Sequence, residues 1–227
     1  PVDTLGQITG KAEGTAHITI TSENRQTFVT RVEVGRDLSV RREKAVMMFT
    51  GDIMCAVKHQ RLASGHQHDY FDSFRRVRDI LSGADFTAGV LETTSIDRAP
   101  FEFEQLRLLT GAPNCNSPST FISAVAAAGF NAVVTANNHN SDCGVEGLKA
   151  VDSEIRRCGM LNIGSMGHSL VMTDVKGIKV AVIATTMITN NTGWDLSKSS
   201  LVNPAGIYSR DYFTELVNSA RSMGAEF

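Results

Sequence analysis

Three apolar segments of this sequence end on polar side chains that could bind a metal ion. Asp52 follows the first segment, Glu92 follows the second, and Asn137, Asn138 and His139 follow the third. Carboxylate and amide oxygens, together with an imidazole, suit Mn, Fe, Zn or Mg ions. One such side chain would carry little information, but three polar segment ends in succession predict a site for divalent metal ions of open identity.

The segments that end on these side chains read as strands alternating with helices from residue 46 onward. Apolar runs at 45–50, 85–91 and 131–136 have the length of buried strands. Apolar residues at helical spacing predict helices at Tyr70, Phe74, Val77 and Leu81; at Phe121, Val125 and Ala128, after a Ser117 N-cap and Pro118; at Val145, Leu148, Val151 and Ile155; and at Phe213, Leu216, Val217 and Ala220. Lys176 and Gly177 predict the turn of a further hairpin over 170–185.

This alternation predicts a layered α/β fold with a largely parallel sheet. In such sheets, ligands bind beyond the carboxyl ends of the strands. We therefore expect the three polar strand ends to converge at one edge of the sheet.

A different period marks the first 35 residues. Polar and apolar residues alternate before and after a polar turn at 22–26, which predicts a β-hairpin. The line TGKAEGTAHITI at 9–20 resembles the closing strands of bacterial immunoglobulin-like repeats. That resemblance implies the C-terminal part of such a β-sandwich in residues 1–37, a second domain over 38–227, and an extracellular or cell-surface protein. Any hairpin docked on the main domain would alternate in the same way.

The second domain carries motifs that match a known family. The segments FTGDIM at 49–54, GVLETT at 89–94 and AAGFNAVVTANNH at 127–139, with Asp142 and Gly144 after them, resemble the CapA family. The resemblance extends over roughly residues 45–227. It implies a calcineurin-like metallophosphoesterase fold and a role in the synthesis of a poly-γ-glutamate capsule.

The resemblance also implies roles for single residues. Asp52, Glu92 and Asn138 would be metal ligands, with Glu92 in the bridging position. His139 would stabilise the transition state or protonate the leaving oxygen. A metal pair can polarise a phosphoryl oxygen and lower the pKa of a bridging water, and a histidine can transfer a proton near neutral pH.

Three further side chains are assigned to the edge of this site. His66 and His68 form an i, i+2 pair that could bind a transition metal if it lay on a strand. Because Gly65 precedes the pair and a helix follows it, we interpret it as a loop or N-cap segment at the mouth of the site. There His66, His68 and Asn137 would contact substrate.

The sequence departs from the family pattern in two ways. Val90 stands where the family has the asparagine of its NLE motif, and the later histidine motifs of the family, HWG and GHxPH, are absent. We therefore expect this chain to bind metal weakly or not at all and to be inactive by itself. Because it starts at Pro1 without a signal peptide, we interpret it as a processed or cut product of a longer protein.

Composition excludes several function classes. A formal net charge of -2 gives no reason to expect nucleic acid as a partner. No apolar run approaches the roughly 20 residues that span a bilayer. The four cysteines, Cys55, Cys115, Cys143 and Cys158, form no CxxC pair. We interpret them as small buried apolar side chains, and the alternative that they form one or two disulfides is left open.

Three functions compete. The first is a metal-dependent hydrolase or transferase acting on a phosphorylated or polyglutamyl envelope substrate. The second is a non-catalytic surface factor that binds or retains an anionic polymer in the same cleft. The third is an adhesin-like module, which the three polar strand ends disfavour. In each case, strand edges left exposed by an incomplete sheet would favour association between chains.

Overall fold

The computed structural model describes residues 14–21, 27–34, 44–64, 69–97, 115–190 and 203–227. The chain divides into two compact units, Pro1–Lys44 and Ala45–Phe227. The polar turn at 22–26 and the pair His66 and His68 lie outside the described residues. The domain boundary predicted at residue 37 stays a prediction.

The first unit contains an antiparallel hairpin of strands β1 (Gly14–Thr21) and β2 (Thr27–Val34). Ala16 pairs with Val32, and Ile20 pairs with Phe28. Both strands therefore form where the alternation predicts them. Two paired strands do not distinguish an immunoglobulin-like repeat from any other hairpin.

The second unit is built on a four-stranded parallel sheet. Its strands lie in chain order: β3 (Met47–Ile53), β4 (Phe86–Leu91), β5 (Ala132–Val134) and β6 (Leu161–Ile163). All three neighbouring pairs are parallel. The predicted α/β class with a parallel sheet is confirmed.

Helices connect and cover these strands. Their bounds are Val57–Ser64 (α1), Arg78–Leu81 (α2), Ser119–Ala127 (α3), Gly144–Arg157 (α4) and Arg210–Ser222 (α5). No helix among the described residues has the length and apolarity needed to cross a bilayer.

Two helix predictions need correction. The single helix expected over residues 70–81 is a 3-10 turn, Tyr70–Ser73, followed by the short α2, because Asp69 caps the backbone N–H of Phe71 and i+3 bonds continue from there. The expected N-cap Ser117 also makes no cap. The side chain of Asp97 accepts instead from the backbone N–H of Ser119, at 2.8 Å, and from its hydroxyl.

Each face of the sheet has its own apolar core. On one face, Ile53 and Leu91 pack with Phe121 and Ile122 of α3 and with residues of α4. On the other face, Phe86, Ala88 and Ile163 pack against strands β7 (Leu170–Val175) and β8 (Ile178–Ile183). The layers are therefore helix, sheet and hairpin.

The hairpin of β7 and β8 confirms the turn predicted at residues 176 and 177. Lys176 and Gly177 have φ values of 54° and 78°. Positive φ at both central residues is the requirement of the type I′ turn, which matches the twist of the strands it joins.

The cysteines form no disulfide. Cys55 is buried, and that burial raises the pKa of its thiol to about 12. Such a thiol is chemically inert, which agrees with the prediction of a small buried apolar side chain at this position. Cys115, Cys143 and Cys158 are half-buried.

Candidate functional site

The first strand reaches the site through a β-bulge. The pairing of β3 with β4 shifts from Thr50 opposite Gly89 to Asp52 opposite Val90, which leaves Gly51 unpaired in this ladder. A bulge of this kind bends the strand and re-aims the side chains beyond it. The carboxylate of Asp52 is exposed at the carboxyl end of β3.

The close approach of β3 and β4 depends on glycine. A β carbon at Gly89 would lie 2.6 Å from the Ile53 side chain and 2.9 Å from the ring of Phe130. Real side chains do not meet so closely, so only glycine lets the strand ends sit side by side here.

Glu92 lies beside Asp52 at the end of β4. Its backbone N–H donates to the carbonyl of Ile53 at 3.0 Å, which fixes the two strand ends together. Burial raises the pKa of the Glu92 carboxyl, the negative charge of Asp52 raises it further, and His139 opposes both effects. A divalent cation between the two carboxylates would offset their repulsion and stabilise both ionised forms.

Asn137 connects the ends of β4 and β5. Its side-chain amide donates to the Leu91 carbonyl at 2.8 Å, and its side-chain oxygen accepts from the backbone N–H of His139 at 3.0 Å. The residue is 6% exposed. This geometry favours a positioning role over the substrate contact expected from the sequence.

Asn138 and His139 form the turn that Asn137 holds. Asn138 is half-buried, and its carbonyl accepts from the backbone N–H of Asn190 at 2.8 Å. The side-chain amide of Asn190 lies 3.3 Å from Nε2 of His139. The loop that follows β8 therefore contacts the turn at the end of β5.

Buried Asp142 orients the imidazole of His139. Nδ1 of His139 is 2.8 Å from Oδ2 of Asp142, and the two residues are 6% and 1% exposed. The same Oδ2 accepts from the backbone N–H of Cys115 at 2.6 Å. The bond to Asp142, and then a bond to the Cys115 side chain, raise the pKa of His139 to about 10 against the effect of burial.

This raised pKa decides what His139 can do. The raised pKa favours the imidazolium form of the metal-free ring, which donates protons and does not accept them. It is suited to general-acid catalysis, such as protonation of a leaving oxygen.

The structure thus brings Asp52, Glu92 and the turn of residues 137–139 to the ends of three adjacent parallel strands. The oxygen ligands of Asp52, Glu92 and Asn138 are the donors that Mg or Mn ions prefer. Asp52 and Glu92 are neighbouring carboxylates of like charge, a donor set that fits a divalent cation. Their ligand roles stay predictions, and His66 and His68 lie outside the described residues.

Sequence reasoning did not assign three residues that contact this site: Cys115, Asp142 and Asn190. Asp142 had a usable signal, because it follows His139 by three residues within the motif that carries the family resemblance. Cys115 and Asn190 have no such signal, since they lie far from His139 in the chain and reach it only through the fold.

Comparison with known proteins confirms the family resemblance. The profile of the family described as "Bacterial capsule synthesis protein PGA_cap" matches residues 46–222. The "Capsule biosynthesis protein CapA" of Bacillus anthracis is 25% identical over 168 residues, which are 70% of this chain and 39% of that protein.

Two uncharacterised proteins of Sinorhizobium fredii, y4sH and y4uA, are each 30% identical over 118 residues. Those residues are 52% of this chain and 24% of each relative. The chain therefore spans well under half the length of the curated relatives it matches.

Proposed function

The chain belongs to the bacterial capsule synthesis protein family PGA_cap, and from that membership we propose that the whole protein acts in capsule synthesis at the cell envelope. Its cleft at the ends of β3, β4 and β5 would hold divalent metal ions through Asp52, Glu92 and Asn138. The observation that carries this proposal is the convergence of these three strand ends on one edge of a parallel sheet.

The reaction that this cleft fits best is metal-dependent hydrolysis or transfer at a phosphoester. The metal would supply charge for the phosphoryl oxygens and a water of lowered pKa. His139 donates a ring proton to the leaving oxygen, and Asp142 holds the ring in place at 2.8 Å. Asn137 sets the turn that carries both Asn138 and His139.

We infer the substrate class from the family resemblance and from charge. A phosphorylated or polyglutamyl envelope polymer is anionic, and a cation beside an imidazolium favours anionic groups. Poly-γ-glutamate is the polymer that the family resemblance implies. An extracellular site of action would suit both this polymer and a hairpin from an immunoglobulin-like repeat.

One observation favours a second candidate, a non-catalytic factor that binds or retains an anionic polymer. Val90 lies opposite Asp52 in the ladder, at the position where the family has an asparagine. A valine can neither ligate metal nor donate a hydrogen bond. A cleft that lacks this amide could bind a cation and a polymer without turnover.

Metal content and phosphoester hydrolysis of the whole protein distinguish these candidates. Parent protein is compared with Asp52→Asn, Glu92→Gln and His139→Gln, and with Asp174→Asn as a control at an exposed position of strand β7. We expect the first two variants to lose bound Mn²⁺, the ion that their oxygen ligands would hold. We expect His139→Gln to keep metal and lose hydrolysis by about 10²–10⁴-fold.

Each other outcome has a clear meaning. Metal without hydrolysis in the parent would support the polymer-binding factor. A parent protein that binds no Mn²⁺, or Asp52→Asn and Glu92→Gln variants that bind it as the parent does, would contradict both candidates.

A further inference from the structure

His139 also belongs to a second group of side chains that could bind a metal ion. One ligand atom each from Cys115, His139 and Asp142 lies within 4.8 Å of the others. We propose that these three residues form a separate site for a thiolate-accepting cation, zinc in particular. It differs from the oxygen cleft of Asp52, Glu92 and Asn138 in both residues and donor chemistry.

The fold holds Cys115 in place for this purpose. Both the backbone N–H and the hydroxyl of Thr94 donate to the Cys115 carbonyl, at 3.0 and 2.9 Å. The backbone N–H of Cys115 donates to Asp142 at 2.6 Å. The backbone of Cys115 is therefore fixed on both its carbonyl and its N–H side, as precise ligation by its side chain requires.

Helix α4 brings Asp142 close to this segment through a glycine. A β carbon at Gly147 would lie 2.6 Å from that of Cys143 and 3.1 Å from the methyl group of Thr94. The start of α4 can approach Thr94, and hence Cys115, only because residue 147 has no side chain.

The donor set selects the metal. One thiolate, one imidazole and one carboxylate suit Zn²⁺, whereas Mg²⁺ and Ca²⁺ prefer oxygen ligands. Three protein ligands leave a fourth tetrahedral position for water. Metal binding would release the thiol proton of Cys115 and one ring proton of His139 to the solvent.

The spacing of the His139 and Asp142 ligand atoms needs only a small adjustment. Nδ1 of His139 and Oδ2 of Asp142 are 2.8 Å apart, joined by a hydrogen bond. Zinc–ligand bonds of roughly 2.0–2.1 Å in a tetrahedron place two light ligand atoms roughly 3.3 Å apart. Replacement of the proton by zinc would therefore separate the pair by about 0.5 Å.

Shared use of His139 has a consequence. An imidazole that binds zinc through Nδ1 keeps only its Nε2 proton and is a weaker acid than the imidazolium, so zinc would slow a reaction supported by Mg or Mn. This consequence rests on the proposed function, whereas the zinc site itself does not.

Cobalt titration of the metal-free 227-residue chain tests the site, because Co²⁺ replaces zinc and reports a thiolate ligand by a charge-transfer band. The parent should show this band. Cys115→Ser should lose it and bind Co²⁺ at least about 100-fold more weakly, beyond what loss of an outer-shell partner usually costs. Cys143→Ser, which removes the neighbouring thiol, should keep it.

Unfolding midpoints in EDTA show whether each variant is folded, and Asp52→Asn separates the two sites. The band should persist in Asp52→Asn. Cobalt bound without a thiolate band, or a band that survives in Cys115→Ser or vanishes in Cys143→Ser, would overturn the zinc site. It would leave the oxygen cleft untouched, because that cleft contains no thiolate.

Discussion

Replacement of Asp142 by alanine removes the acceptor that two buried donors share. Oδ2 of Asp142 accepts from the Cys115 backbone at 2.6 Å and lies 2.8 Å from Nδ1 of His139, and Asp142 is 1% exposed. Each buried donor left without an acceptor costs about 1–3 kcal/mol. Asp142→Ala should therefore lower the free energy of unfolding by about 2–6 kcal/mol, a large share of the roughly 5–15 kcal/mol of a typical domain.

Urea unfolding in EDTA measures this loss without a contribution from bound metal. Asp174→Ala is the control, because Asp174 is exposed and accepts one backbone N–H, from Gly177 at 2.8 Å. Its loss should cost about 0.5–1.5 kcal/mol. If Asp142→Ala costs no more than Asp174→Ala, Asp142 does not organise the turn that carries His139, and the account of the site is wrong.

Three other predictions concern regions around the site. The backbone N–H of Val46 and, after it, Lys176 hold the pKa of the Asp85 carboxyl below its ordinary value. The stabilisation by its charge is therefore present above the ordinary value and lost as pH falls through the lower folded-state pKa. The difference in unfolding midpoint between parent and Asp85→Asn should shrink in strong acid, and a constant difference would refute the assignment. Gly147→Ala should lower the free energy of unfolding measured in urea. Overpacking against Cys143 costs about 1–3 kcal/mol, whereas the gain in helix propensity is only about 1 kcal/mol. A more stable variant would show that α4 is free to move. Phe49 is 59% exposed on the edge strand β3, so Phe49→Lys should reduce self-association of the 227-residue chain in sedimentation experiments, and equal association of both proteins would place the contact elsewhere.

The order of strands and helices could be predicted because long apolar segments carry a clear period. Strand β6 was missed, since Leu161–Ile163 has only three residues and such a segment shows no period. The helix predicted across Val77 failed for another reason. The Asp69 side chain favours a 3-10 turn locally, and Val77 is 42% exposed instead of facing the core.

The site was predictable only where chemistry and strand ends coincide. Asp52 and Glu92 stand out as carboxylates at the ends of apolar strands. Asp52 lies at the end of β3, and Glu92 directly follows β4. The positioning role of Asn137 could not be predicted from its residue type. An asparagine side chain can bind a metal, hydrogen-bond a substrate or hydrogen-bond the backbone equally well. The contact of Cys115 with His139 depends on a loop-to-helix packing that no local spacing records.

Binding of Mn²⁺ to the whole protein tests the central claim most directly, with parent, Asp52→Asn and Glu92→Gln compared by calorimetry at equal protein concentration. The convergence of β3, β4 and β5 predicts saturable binding in the parent that either substitution greatly weakens. Binding of equal strength in all three proteins, or no binding in the parent, would contradict the claim that these strand ends form one metal site.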